Sequence, residues 1–248
     1  MQRIDHVIVK VDDLHNGVEE FINAGFSVFY GTKKEKAYNA LIYLQDNSFI
    51  ELLDTNVIPR FGRVLTKLGI LRVLSPTFNR VGNFYFKEGP LLDYPVYSSD
   101  IEASYAHVRD QSGKILNAGK RKKPNGTVVQ WRSFMPKDLN LPFVMTDYTP
   151  EKISADETNV HPNGITGLHT LEIAFTGETA AFRAKLMNFY QVDETRVTDE
   201  GNRFYITTDN ATLVYQQANH HKIMSAALRP RVPALDNMLG KYSLATAD

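Results

Sequence analysis

The chain contains no cysteine among its 248 residues. That excludes disulfides, thiolate metal ligands and a thiol nucleophile, and it suits a reducing compartment. It also lacks any excess of one charge: 28 Lys and Arg balance 28 Asp and Glu. A general nucleic-acid binder would show a basic surplus, so no nucleic-acid partner is expected. No apolar run nears the roughly 20 residues of a membrane span, so no membrane partner is expected. No leader-like segment precedes the first strand, and the expected location is cytoplasmic. Glycine-rich phosphate loops and heptad repeats are missing too, which argues against nucleotide binding and coiled coils. What remains is 43% hydrophobic and 23% charged, the composition of an ordinary folded domain.

The stretch "RIDHVIVKV" (3–11) alternates as a strand does. Val7, Val9 and Val11 share one face; Ile4, His6 and Ile8 share the other, which leaves an imidazole between isoleucines. Asp12 or Asp13 can cap the helix that follows, whose apolar stripe is Leu14, Val18, Phe21 and Ile22, with Gly25 as terminator. "FSVFY", "NALIYL" and "SFIELLD" then read as three short strands, so the unit is βαβββ.

The same order recurs twice. "LLDYPVYSS", with Pro95 marking an edge or bulge, precedes a helix capped by Asp100 and three further strands, with a hairpin turn at Asn125-Gly126. "GLHTLEIAF" precedes a helix with Phe182, Leu186 and Phe189, then "NRFYITT" and "ATLVYQQ". The expected organisation is a first unit at 1–54, a helical insertion at 55–90, a second unit at 91–150, a third at 165–217, and a C-terminal tail at 218–248 with no firm assignment.

"IDHVIVKVDDL", "NALIYLQDNSFIELLD", "PNGTVVQWR", "LPFVMTDYTP" and "HPNGITG" resemble the glyoxalase-like domain proteins of the vicinal oxygen chelate superfamily, which also includes bleomycin resistance proteins and extradiol dioxygenases. The resemblance implies an α+β fold of repeated βαβββ modules forming curved mixed sheets. It implies a cup in which a first-strand His and a last-strand Glu hold a divalent metal (Zn, Ni, Mn or Fe). By that resemblance His6 and Glu51 are metal ligands or the catalytic acid–base pair, acting on a small oxygenated molecule by isomerase, lyase or dioxygenase chemistry.

A catalytic metal normally has three or more protein ligands. Aligning the repeats places His6 over Thr170 and Glu51 over Val214 in the third unit, so that unit offers neither ligand. In the second unit His6 falls over Asp93, which completes the candidate set His6, Glu51 and Asp93. Trp131 and Arg132 lie on opposite faces of one strand, and whichever faces the cup would bind substrate, by stacking or by pairing with an acid. "KRKK" (120–123) reads as a solvated hairpin shoulder. Two functions stay open: a metal-assisted enzyme, or a metal-free protein that binds and sequesters a small molecule. An odd number of units suggests a homodimer, since one is left without an internal partner.

Overall fold

Two chain segments that pass through each other's sheets set the architecture. The computed structural model describes residues 3–248, and only the backbone of 116–118. The first unit comprises β1 (Arg3–Ile4), β2 (His6–Val11), α1 (Leu14–Asn23), β3 (Phe29–Tyr30), β4 (Asn39–Tyr43) and β5 (Phe49–Asp54). Residues 55–90 carry α2 (Arg60–Lys67), α3 (Ile70–Leu74) and α4 (Pro76–Phe86). The second unit runs β6 (Leu91–Asp93), β7 (Val96–Tyr97), α5 (Ile101–Val108), β8 (Leu116–Lys122), β9 (Val128–Phe134) and β10 (Val144–Met145). The third runs β11 (Gly167–Phe175), α6 (Thr179–Tyr190), β12 (Val197–Glu200), β13 (Arg203–Thr207) and β14 (Thr212–Gln217). After it come β15 (Lys222–Arg229), α7 (Asp236–Gly240) and β16 (Leu244–Thr246).

The strands make three sheets, ordered β3-β4-β5-β2-β6, β1-β7-β10-β9-β8 and β12-β13-β14-β11-β15-β16. β6, from the second unit, completes the first sheet, and β1, from the first unit, completes the second. The exchange happens at Asp5 and Pro95, where the Asp5 N–H donates to the Pro95 carbonyl at 2.8 Å. Proline costs no ladder bond here because the strand is leaving one sheet for the other.

Helix capping follows the sequence. Asp13 accepts from the Asn16 N–H and Asp100 from the Ala103 N–H. Strand alternation sorts the core into two clusters. Val7, Val9 and Val11 pack with Leu14, Val18 and Phe21 of α1. Ile8 faces the other way and joins Leu41, Tyr43 and Phe49, which meet Val129 and Met145 of the second sheet and Tyr148 just after it. The first two sheets therefore face each other, and the hollow described below lies in that interface.

The third sheet packs on the outside of this pair, burying Leu171, Ile173 and Phe175 with Ile4 and Tyr94. Asn210 clamps the backbone of Ile4 from there, with N–H and C=O each bonded at 2.9 Å. The tail, which its sequence left unassigned, extends this sheet: β15 pairs antiparallel with β11, and β16 parallel with β15. "KIMSAALR" carries Ala and Ser that favour helix or neither state. The open edge of β11 decides, as tertiary context overrides propensity.

Candidate functional site

His6 begins β2 just after the crossing, and its ring turns into the hollow. It stacks on Phe49 with centroids 4.2 Å apart and meets Phe143 edge-on at 6.0 Å. Its Nδ1 lies 2.9 Å from Asp5 Oδ2, and its Nε2 lies 3.3 Å from Glu51 Oε2. Glu51 reaches it because β5 runs parallel beside β2 with Glu51 registered to Ile8. Ile8 and His6 are two positions apart, so they share a face. The other Glu51 oxygen accepts a 2.6 Å bond from Asn39 Nδ2 on β4. The carboxylate is thus held from two sides.

An imidazole between two carboxylates is favoured with both nitrogens protonated. Burial pulls the His6 pKa down, but hydrogen bonds and charge from Asp5 and Glu51 outweigh it and hold His6 above its ordinary value. Burial pushes Asp5 up, yet the Lys152 ammonium and His6 prevail and hold it well below the usual carboxylate range. Lys152 Nζ sits 2.8 Å and Arg3 Nη1 3.3 Å from the same Asp5 oxygen. For Glu51, burial is again the largest influence and is again overcome, first by His6, then by Asn39 and Arg121, so Glu51 also stays below its ordinary value.

The hollow has a volume of about 110 Å³. His6, Tyr38, Asn39 and Glu51 line it from the first sheet's side, and Arg121, Trp131, Met145 and Tyr148 from the other. Arg121 Nε and Nη2 are buried without a hydrogen-bond partner, as is Asn39 Oδ1. Buried donors left bare cost roughly 1–3 kcal/mol each, so a ligand oxygen there gains what the protein leaves unmade. The guanidinium lies 5.3 Å from the centroid of the Tyr148 ring.

Arg121 was not among the residues expected to bind substrate, and the reading of "KRKK" as a solvated shoulder is corrected. β8 continues through Lys122, so the run alternates. Lys120 and Lys122 are exposed, Arg121 turns inward, and Lys123 is only 2% exposed. Lys123 Nζ bonds Glu157 at 2.5 Å and Ser154 Oγ at 2.9 Å. Strand parity, applied across the lysines, was the signal available.

Of the Trp131/Arg132 pair, Trp131 is the one facing the hollow, edge-on to Tyr148 at 5.1 Å. Its indole lies flat over Gly119, where a Cβ would come within 2.6 Å of the ring. Arg132 points to the opposite side and pairs with Glu102 of α5 at the surface. Asp93 is buried on β6, but Oδ2 takes a 3.0 Å bond from Arg80 Nη1 and Oδ1 accepts from the Tyr94 N–H. It is brought to Arg80, not to His6 and Glu51. In the third unit Glu172 accepts from Ser225, and His169 meets Thr170.

The donor set can now be tested for a metal. His6 and Glu51 converge, but Asp93 is neutralised elsewhere and a guanidinium enters the same hollow. Among the described residues no group of three or more His, Cys, Asp or Glu is placed to hold a metal ion. Two ligands beside a fixed cation fall short of the three protein donors usual for a catalytic divalent ion.

Paired βαβββ units whose sheets exchange first strands and enclose a His–Glu pair define a protein of the vicinal oxygen chelate class. Residues 4–187 match the family described as "Glyoxalase-like domain", and the chain belongs to that family. No curated protein matches it. Among solved structures it is similar to a hypothetical protein from Staphylococcus aureus, 14% identical over 92% of this chain and 90% of that one, with a TM-score of 0.62. It is also similar to a halotolerant catechol dioxygenase, 7% identical over 96% and 73% of the two chains, TM-score 0.53. A mutant 4-hydroxymandelate synthase from Streptomyces coelicolor is 9% identical over 97% and 73%, TM-score 0.52. At these identities the likeness is one of fold. Among the described residues no helix is long and apolar enough to cross a membrane.

Proposed function

We propose that the chain is an enzyme that moves a proton at the carbon next to a carbonyl or carboxylate in a small anionic molecule. The observation that carries this is the meeting, in one hollow, of a clamped His6–Glu51 pair and the partnerless nitrogens of Arg121. In this reading the substrate's acidic or carbonyl oxygen takes the bare guanidinium donors. The C–H bond breaks toward Glu51, the electron pair moves onto that oxygen, and the charge faces Arg121. His6 or Glu51 then returns a proton, to the same carbon or to its neighbour. A carboxylate held below its ordinary pKa is a weak base, so the acceleration must come chiefly from stabilising the enolate oxygen, the role assigned to Arg121.

Size favours this over the sequestering alternative. The hollow, at about 110 Å³, is small. Drug-sized ligands occupy roughly 300–1,000 Å³.

A second reading keeps a divalent metal between His6 and Glu51. The Asp5–His6 bond favours it, since a carboxylate on Nδ1 commonly orients a metal-binding imidazole. The missing third donor counts against it.

Deuterium wash-in distinguishes these readings. Short-chain 2-oxo and 2-hydroxy acids are incubated with the protein in heavy water and followed by proton NMR. Exchange at the carbon beside the carbonyl is expected, undiminished by chelator and at least about a hundredfold slower in Glu51→Gln. Exchange that chelator abolishes and one divalent metal restores establishes the metal reading instead. No exchange with any acid removes the proposal.

A further inference from the structure

The helical segment between the first two units is built inside out. Ten of the 14 large hydrophobic residues exposed among the described residues fall between Val57 and Phe86. Phe61 and Val64 on α2 and Leu68 at its C-terminal cap follow one another at i, i+3 and i+7, one helical face, and that face points to water. Val73 and Leu74 on α3 and Phe78 on α4 add to it, and these six side chains are 54 to 86% exposed. Leu71 and Phe84 turn inward, but the rest of the inner side is polar or small. Thr66 of α2 fits against Gly82 of α4, where a Cβ would strike the Thr66 hydroxyl. Asn79 and Arg80 are buried, and Arg80 is anchored to Asp93. An amphipathic helix normally buries its apolar stripe; here it buries the opposite side. An exposed apolar patch of this extent marks an interaction surface.

Charge identifies the occupant. Residues 55–87 contain six of the 28 basic residues and none of the 28 acidic ones, in a chain that is neutral overall. Arg60, Lys67 and Arg72 are exposed beside the apolar stripe. Two copies meeting through this face about a two-fold axis would set these cations against their own counterparts. An anionic lipid surface satisfies both features, taking the apolar side chains at the acyl boundary and the cations at the headgroups. We propose that α2–α4 dock the protein on the surface of a membrane carrying anionic lipids, without spanning it.

The test is co-sedimentation of the full-length protein with vesicles of phosphatidylcholine alone or mixed with phosphatidylglycerol. Binding is expected to the mixed vesicles only and to weaken with added salt. Each cation reversed in Arg60→Glu, Lys67→Glu and Arg72→Glu should lower partitioning roughly fivefold, about a hundredfold together. Phe61→Asp with Leu68→Asp should abolish binding while leaving the circular dichroism unchanged, since both residues are exposed. Failure of the wild-type protein to bind either vesicle overturns the proposal, whatever the variants do. So does a stable dimer in sedimentation velocity that Phe61→Asp dissociates, because the face is then covered by a second copy.

Discussion

The first and third units share a strand plan but not a chemistry. In the first, β2 and β5 run parallel with Glu51 registered two positions beyond His6, opposite Ile8. In the third, β11 and β14 run parallel with Val214 registered two positions beyond Thr170, opposite Glu172. The backbone would support the same pair at both places, and only one place has it. The first unit instead holds a cluster of Asp5, His6 and Glu51, to which Lys152 reaches in from the segment after β10. The third joins its sheet to the crossing through neutral hydroxyls: Tyr215 bonds Tyr94 at 2.9 Å and Tyr190 at 3.0 Å. An opening between facing sheets accounts for the difference. The first two sheets face each other across theirs, whereas the third sheet packs Leu171, Ile173 and Phe175 of β11 into the core outside that pair.

The comparison breaks most sharply at Asp5. Asp5→Asn removes the fully buried carboxylate that His6 and Lys152 share, leaving them only Glu51 and the half-exposed Asp147. Breaking such a pair costs about 3–5 kcal/mol, on the order of 10 °C in thermal midpoint, measured by scanning calorimetry. The same variant should flatten the pH profile of stability. Asp5 binds its proton more weakly folded than unfolded, so its contribution is full above the ordinary 3.8 and is lost as pH falls through the folded value. His6 binds its proton more tightly folded, so its contribution is full below the ordinary 6.5 and is lost as pH rises through the folded value. Wild-type stability should therefore be greatest between those two values and sag on both sides. An unchanged profile in Asp5→Asn means the cluster is not what titrates.

The next effect belongs to the third unit. Tyr215→Phe removes one hydroxyl from a buried trio in which Tyr94 and Tyr190 still have each other. A loss of about 1 kcal/mol is expected, with deuterium exchange on the substrate acid unaltered. Altered exchange would show that the third unit reaches into the chemistry and would undo the division of labour.

Much of this division was legible in residue order. Period-two alternation places His6 and the valines on opposite faces, and alignment of the repeats puts Thr170 and Val214 where the first unit has His6 and Glu51. Three features were not legible, each for a physical reason. Asp93 occupies the repeat position of His6, but its fate depends on Arg80, which arrives from an insertion outside the repeat. Arg121 was hidden in a run of like charges, where identity suggested solvation and only strand parity pointed inward. The edge strand Lys222–Arg229 lacks the branched and aromatic residues that announce a strand, and its pairing with β11 is a long-range choice.

The smallest expected effect gives the finest comparison, between two arginines on neighbouring strands. Arg121 lines the hollow and keeps two buried nitrogens without a partner, while Arg132 holds Glu102 at the surface, with side chains 36% and 66% exposed. A pair so open to water contributes about 0–1 kcal/mol. Arg132→Gln should therefore shift the thermal midpoint by little and leave both the rate and the half-saturating concentration of substrate exchange alone. Arg121→Gln should raise that concentration and slow the exchange, because the donors aimed at the developing oxyanion are gone. If the two variants fall together, substrate is being bound on the outer face of β9, and the hollow around His6 and Glu51 is a structural ion cluster rather than a reaction centre.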